Sequence, residues 1–223
     1  MDVEVFGSSS KGNCYALRDG KVTILLECGL TYTETVNRLS YQKPDAIVIT
    51  HEHIDHSKSV KKFIHEYGVD TYMTKGTSAR LKLNHRHNVH TITAYEDFYV
   101  CGHKFMAFPV KHDALEPVGY IIDDEILFAT DLGTPPDING HYKLIFIEAN
   151  YDRQRLLTAH LSTATTYRIS ENHMSIAQTR KYLRERVTAD EIHLIHISET
   201  NGSRREFVES VKLATNNNEV YAH

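Results

Sequence analysis

The sequence has no apolar run long enough to cross a membrane. A transmembrane helix needs about 18 consecutive apolar residues, and no window of the 223-residue chain reaches that length. The first residues, MDVEVFGSSSKGN, also lack the basic-then-apolar order of a signal peptide. We therefore expect a cytoplasmic protein that does not bind membranes.

Cysteine is scarce as well. The three cysteines, Cys14, Cys28 and Cys101, are odd in number and form no CxxC pair. This pattern argues against both a disulfide framework and a cysteine-based zinc ribbon. We expect each cysteine to be a small buried hydrophobe.

An excess of positive charge is also missing, because the formal net charge is −4. Non-specific binding to nucleic acid comes mainly from neutralising phosphates with Lys and Arg, so binding by bulk charge is disfavoured. Two interpretations stay open for the basic clusters at 58–62 and 80–87 and for the pair at 204–205. They either form a local basic face or are ordinary solvated surface charge.

Strand and helix patterns predict an α/β layered fold. Helical periodicity occurs at 32–40, 56–67, 76–83, 175–186 and 203–214. Short β-rich runs lie at 3–7, 14–17, 22–27, 46–50, 103–110, 118–122 and 126–130. No repeat or linker divides the chain, so we predict a single domain over residues 1–223.

The stretch AIVITHEHIDHSKSV at 46–60 carries the strongest chemical signal. His51 and His53 are two residues apart and point the same way if the strand continues, whereas Asp55 and His56 fall in the turn that starts the next helix. Two metal ions could be held side by side. Imidazole and carboxylate ligands suit zinc, manganese or iron.

Further ligand-type residues follow other apolar runs. His112 follows MAFPV, Asp131 follows ILFAT and His196 follows IHLI, so each is expected where a strand ends. Catalytic and binding residues commonly lie at such positions in open α/β sheets.

This pattern resembles the metallo-β-lactamase superfamily, in which HxHxDH after a strand is followed by His, Asp and His in that order. The resemblance spans nearly the whole chain and implies a four-layer αββα sandwich. It implies two divalent ions, Zn²⁺ or Mn²⁺, bound by His51, His53, Asp55, His56, His112, Asp131 and His196. The superfamily usually has Asp where this chain has Glu27 in ILLECG. The resemblance makes Glu27 a residue that orients a ligand.

Finer motifs resemble one branch, the YycJ/WalJ-like nucleases, which are relatives of ribonuclease Z described as 5′-to-3′ DNA exonucleases. The motifs are GSSSKGN at 7–13, HDALEPVGY at 112–120, ATDLG at 129–133, EANYD at 148–152, RISENHMS at 168–175 and LIHISETN at 194–201. Too few residues separate Asp131 from His196 for a β-CASP insertion. The resemblance implies that Glu148 is a partner of a ligand histidine.

Residues for the substrate phosphate are suggested by two segments. In phosphodiesterase branches a His placed like His173 is associated with the scissile phosphate, and Ser175 and Arg168 lie beside it in the sequence. The alternative is that His173 only caps the next helix. In GSSSKGN, either Ser9 and Lys11 cup a terminal phosphate or the segment is simply a tight turn.

The resemblance predicts hydrolysis of nucleic acid, with DNA as the substrate, by a metal-activated water. Asp55 and Asp131 would orient this water and accept its proton, and His173 would stabilise the phosphate or protonate the departing oxygen. The main alternative is a metal-dependent hydrolase of small esters, thioesters or lactones, and an RNA-processing endonuclease is a further one. A flavodiiron-type redox enzyme and a non-catalytic metal-stabilised module are both disfavoured, the first by length and the second by the complete ligand set.

Overall fold

The computed structural model describes residues 1–20 and 22–223. These residues form two compact units. Unit 1 comprises residues 1–108 and 114–118, and unit 2 comprises residues 109–113 and 119–223. The single domain over residues 1–223 stays a prediction.

Unit 1 contains a six-stranded sheet with its strands in sequence order. The first three strands are antiparallel and the last three continue in parallel. The strands are β1 (Asp2–Gly7), β2 (Cys14–Asp19), β3 (Val22–Leu26), β4 (Ala46–Val48), β5 (Asp70–Thr74) and β6 (Val89–Ile92). A hairpin of β7 (Asp97–Val100) and β8 (His103–Pro109) completes the strands of the unit.

Unit 1 also contains four helices, of which the third has a clear apolar face. They are α1 (Tyr32–Arg38), α2 (Ile54–Ser57), α3 (Val60–Tyr67) and α4 (Lys75–Arg80). In α3 the buried residues are Val60, Phe63 and Ile64, which share one helical face. Burial of each such side chain is worth about 1.5–3 kcal/mol, so this face holds α3 in place.

Unit 2 is built on strands β9 to β13, which are also ordered along the sheet. β9 and β10 are antiparallel, and the remaining strands continue in parallel. The strands are β9 (Val118–Ile122), β10 (Ile126–Ala129), β11 (Gly140–Glu148), β12 (Val187–Ile195) and β13 (Val220–Ala222). The helices are α5 (Arg153–Thr158), α6 (Thr163–Asn172), α7 (Ile176–Glu185) and α8 (Arg204–Thr215).

Two sequence expectations differ from the structure. The helix predicted over 56–67 is two helices, α2 and α3, with Lys58 and Ser59 between them. Cys14 and Cys28 are buried as expected, but the prediction is wrong for Cys101, which is exposed in the turn between β7 and β8. The turn requires a left-handed residue there, at φ +51°, and turn residues lie at the surface. No helix in the described part of the chain is long and apolar enough to span a bilayer.

Candidate metal centre and catalytic residues

The HEHIDH segment of unit 1 lies where β4 gives way to α2. His51 comes three residues after the end of β4, and His53 is the residue before the first turn of α2. Asp55 and His56 lie in that turn, as expected from the sequence. The ring of His51 is 4.7 Å from that of His53 and 4.2 Å from that of His56, measured between centroids. Three imidazoles and a carboxylate are thus gathered within one loop.

Oxygen atoms face the Nδ1 atoms of two of these histidines. Thr50 Oγ1 is 2.9 Å from Nδ1 of His51, and Glu27 Oε1 is 3.6 Å from Nδ1 of His56. Glu27 is fully buried and accepts a hydrogen bond from the backbone N–H of Thr50. Burial raises the pKa of Glu27, and the neighbouring His56 opposes that rise. Despite its extra methylene, Glu27 therefore lies where an orienting carboxylate would be needed.

The GSSSKGN loop packs directly against the HEHIDH segment. The backbone N–H of Asn13 donates to the carbonyl oxygen of Asp55 at 2.7 Å, and Asn13 Nδ2 lies 3.0 Å from Nε2 of His56. A Cβ atom on Gly29 would lie 1.6 Å from the Asp55 carbonyl oxygen. No side chain fits at position 29, so glycine is what allows the two loops to touch.

Unit 2 supplies three more of the predicted ligands. His112 Nε2 is 3.5 Å from Asp131 Oδ2, and His196 Nδ1 is 3.4 Å from Asp131 Oδ1. Nδ1 of His112 is 2.9 Å from the carbonyl oxygen of Asn172. Burial lowers the pKa of His112, an effect that Asp131 and the Asn172 carbonyl oppose. Asp131 and His196 are buried and follow β10 and β12, so the expected strand-end positions are correct.

Glu148, at the end of β11, joins the histidines of unit 2. Its Oε1 atom is 2.7 Å from Nδ1 of His173 and 3.1 Å from Nδ1 of His196. Its Oε2 atom accepts hydrogen bonds from the N–H groups of Leu132 and Met174. Burial alone would raise the pKa of Glu148, but His173 and His196 hold it below its ordinary value. Glu148 therefore carries charge in a fully buried position.

His173 lies beside this carboxylate, between α6 and α7. Burial disfavours a charge on its ring, but Glu148 outweighs that effect and the pKa of His173 lies above its ordinary value. Its ring stacks on His196 at 5.3 Å between centroids. One nitrogen or oxygen atom from each of Asp131, Glu148, His173 and His196 lies within 4.8 Å of the others. These four side chains therefore form one contiguous cluster within unit 2.

The four residues predicted to contact the substrate phosphate differ in exposure and in hydrogen bonding. Ser9 Oγ accepts the N–H of Lys11, and the Lys11 side chain is exposed. Ser175 is the N-cap of α7, where its hydroxyl and Gln178 form a capping box. Arg168 is exposed on α6, one helical turn before Asn172, whose carbonyl faces His112. Ser175 is therefore engaged in helix capping, whereas the Lys11 and Arg168 side chains reach solvent.

Two asparagines of the site, Asn13 and Asn150, were not predicted from the sequence. Asn13 contacts His56 as described, and Asn150 Nδ2 lies 3.2 Å from Nδ1 of His196 and donates to the His196 carbonyl oxygen. Both residues occur in quoted motifs, GSSSKGN and EANYD. The available signals were that Asn13 follows a glycine and that Asn150 follows an apolar run, since a buried amide must find hydrogen-bond partners.

Comparison with known families defines the class of protein. The family model for the beta-lactamase superfamily domain matches residues 23–197, most of the chain. The chain therefore belongs to the beta-lactamase superfamily, which confirms the predicted superfamily and supports the predicted class of metal-dependent hydrolase.

A curated relative narrows the similarity. The exodeoxyribonuclease WalJ of Streptococcus pneumoniae, strains D39 and R6, is 29% identical over 167 residues. The matched region covers 66% of this chain and 62% of WalJ. The chain thus matches less than two thirds of the length of this relative. The similarity agrees with the predicted YycJ/WalJ-like branch.

Solved structures confirm the predicted fold class. The metallo-beta-lactamase fold protein YhfI of Bacillus subtilis has a TM-score of 0.77 at 16% identity, covering 99% of this chain and 95% of YhfI. Zn²⁺-bound PqqB of Methylobacterium extorquens has a TM-score of 0.76 at 15% identity, covering 100% of this chain and 97% of PqqB. The chain therefore has the metallo-β-lactamase fold.

Proposed function

We propose that the chain is a binuclear metal-dependent phosphodiesterase, and specifically a nuclease that degrades DNA from its 5′ end. The observation that carries the proposal is the contact between His173 and Glu148, which holds a cation-forming imidazole beside Asp131 and His196. The similarity to WalJ, named an exodeoxyribonuclease, supports the same reaction.

Two divalent ions, Zn²⁺ or Mn²⁺, are proposed as cofactors. The proposed ligands are His51, His53, Asp55, His56, His112, Asp131 and His196. The donor chemistry fits, because an oxygen atom lies within hydrogen-bonding distance of Nδ1 of His51, His112 and His196. Such partners favour the tautomer that presents Nε2 to a metal. Zinc in PqqB is consistent with this choice of ion.

Bound ions would lower the pKa of a water molecule and offset the charge of the phosphate. In the proposed reaction, Asp55 and Asp131 orient that water and take its proton. Asp131 is suited to this role because Thr130 donates a hydrogen bond to its Oδ1 atom and fixes the carboxylate. Both carboxylates therefore act as positioned bases.

His173 is the residue that favours a phosphodiester over a small ester. Its raised pKa keeps the ring cationic to higher pH than an ordinary histidine. A cation at this position stabilises negative phosphate oxygens or gives a proton to the departing oxygen. Hydrolysis of a small ester, thioester or lactone develops charge on a single oxygen, which the metal ions can stabilise without a cationic histidine. That alternative therefore gives His173 no role.

The test compares His173→Ala with His65→Ala, which removes an exposed histidine of unit 1. We expect His173→Ala to lower turnover of a 5′-phosphorylated DNA strand by about 10²-fold. Metal content should stay unchanged, because His173 is not among the proposed ligands. The control should keep full activity.

Substrate choice is tested in parallel with a 5′-hydroxyl strand, an RNA strand, and a simple thioester and lactone, each with zinc and with manganese. Faster cleavage of the RNA strand than of the DNA strand would contradict DNA as the substrate and favour an RNA-processing enzyme. Turnover of the thioester or lactone that is indifferent to His173→Ala, with DNA left intact, would refute the nuclease proposal.

A further inference from the structure

A cavity of about 480 Å³ lies in unit 2 between α5, α6 and α7. Ligand-binding pockets commonly have volumes of about 300–1,000 Å³. Its lining residues include Tyr151, Leu156, Leu157, Thr166, Ser170 and Gln178. Helix α6 contributes Thr166 and Ser170 to this lining and has no buried residue of its own.

The backbone of the cavity wall is continuous with the residues that hold His173. Strand β11 ends at Glu148, and Tyr151 follows three residues later. The carbonyl oxygen of Tyr151 accepts the N–H of Ile176 at 2.9 Å, and the N–H of Asn150 donates to the carbonyl oxygen of Met174. These bonds flank His173 on its C-terminal side. A molecule in the cavity therefore lies next to the segment that carries His173.

The polar groups at the cavity suit hydrogen bonding to a planar, amphipathic ligand. Oε1 of Gln178 accepts two hydrogen bonds from Ser175, through the backbone N–H and the hydroxyl. Its amide N–H donors engage no residue in the described part of the chain, so they are available to a ligand. Burial raises the pKa of Tyr151, which keeps the phenol protonated at neutral pH.

Arg153 adds a positive charge at the same cavity. It is exposed at the start of α5, close enough to Tyr151 to oppose the rise in the pKa of the phenol. Within residues 1–20 and 22–223, no carboxylate pairs with its guanidinium. Arginine suits phosphate oxygens because it can donate two parallel hydrogen bonds.

From these features we propose that the cavity binds one nucleoside of the substrate strand, next to the phosphate that is cleaved. The base lies among Tyr151, Leu156 and Leu157, Gln178 donates to its edge, and Arg153 contacts an adjoining phosphate. An acyl chain would use the apolar wall and leave Gln178 and Arg153 without function. The inference rests on the proposed nuclease function and adds the position of a nucleotide subsite.

Filling the cavity from α6 tests this assignment. Thr166→Phe and Ser170→Phe place a large ring at the wall, and Ala164→Phe is the matched control because Ala164 is exposed on the same helix and does not line the cavity. All three are compared as metal-loaded protein. Two fillings at different positions guard against misfolding of one variant.

We expect both filling variants to weaken binding of thymidine 5′-monophosphate, measured by calorimetry, about tenfold or more. KM for a 5′-phosphorylated oligodeoxynucleotide should rise by a similar factor. Hydrolysis of methyl p-nitrophenyl phosphate, which has no nucleoside, should change less than about twofold. Ala164→Phe should match the parent in every assay.

Unchanged nucleotide binding in both filling variants would overturn the assignment, as would equal losses on the oligonucleotide and the small phosphodiester. A parent protein that binds the nucleotide in this cavity but cleaves no strand would refute the nuclease proposal and leave the subsite standing. A parent protein that cleaves strands but binds no nucleotide would refute the subsite alone.

Discussion

At the scale of single residues, three chemically important side chains occupy unfavourable backbone conformations. Glu27, Asp131 and His196 have φ values of 64°, 52° and 53°. A left-handed conformation costs a non-glycine residue on the order of 1–2 kcal/mol. Each residue follows the end of a strand by one or two residues. The surrounding hydrogen bonds offset this strain, which is typical of functional positions.

The Glu148→Gln substitution tests how far the histidines depend on one carboxylate. Glutamine keeps the size but replaces an oxygen with an NH₂ donor, and each Glu148 oxygen accepts from two groups, so two of the four donors around Glu148 are left facing a donor. We expect stability to fall by about 1–3 kcal/mol, measured by urea unfolding. Activity should fall about 10–100-fold.

The control for this substitution is Glu209→Gln, an exposed position on α8. It should leave both stability and activity unchanged. If Glu148→Gln lowers stability and leaves turnover intact, Glu148 serves the fold only and does not position His173 or His196.

At the scale of elements, the contact between the GSSSKGN loop and the HEHIDH segment can be tested by substitution of one glycine. Gly29 separates the GSSSKGN loop from α2, and an added Cβ would also come 2.7 Å from the backbone nitrogen of Asn13. We expect Gly29→Ala to move α2 away, to cost about 1–3 kcal/mol of stability, and to weaken binding of one metal ion. Metal affinity and urea unfolding are the measurements.

Gly68→Ala is the matched control for this change. Gly68 has φ +59° with nothing within 4 Å of an added Cβ, so the substitution strains the backbone and disturbs no packing. It should lower stability and leave metal affinity as in the parent. If Gly29→Ala behaves in the same way, contact between the loops has no part in holding the metal.

Elements with strong apolar periodicity were predictable from sequence, and weakly patterned ones were not. The buried runs of β3, β9 and β10 stand out because nearly every residue is apolar. Helix α6, TATTYRISEN, has no buried residue and therefore no apolar stripe to recognise. The strands β5, β6 and β7 are short and contain polar residues, so local sequence gives little signal for their pairing.

The same limit explains which parts of the candidate site were predictable. Ligand-type residues such as His51 and Asp131 follow recognisable apolar runs and match a spaced motif. The contacts of Asn13 with His56, and of Glu148 with His173, join residues 43 and 25 positions apart. Such pairings depend on how strands are ordered in a sheet, which single-sequence periodicity does not encode.

At the scale of the whole molecule, metal content is the first quantity to measure. Two equivalents of zinc or manganese per chain are expected, because the proposed ligands supply enough nitrogen and oxygen donors for two open sites. Removal by a chelator should lower the unfolding temperature, because ligands that bind only the folded state stabilise it. Elemental analysis of protein purified without chelator gives the stoichiometry.

The double substitution Asp55→Ala/His56→Ala should reduce the stoichiometry to about one. An exposed pair, His87→Ala/Glu209→Ala, is the control and should retain two equivalents. A parent protein that saturates near one equivalent, or a double variant that still binds two, would contradict a binuclear centre.

Net charge is the other property of the whole molecule that bears on the proposed function. At −4 the chain as a whole repels nucleic acid, so affinity must come from local cations such as Lys11. For single strands, log K falls with log salt by about 0.7 for each phosphate that is neutralised. Lys11→Ala should therefore reduce the magnitude of this slope by about 0.7.

Lys43 is exposed and precedes β4, whereas the candidate ligands follow that strand, so Lys43→Ala should leave the slope unchanged. Equal slopes for the parent and both variants, from binding titrations at several salt concentrations, would show that the GSSSKGN loop is a turn and not a phosphate contact.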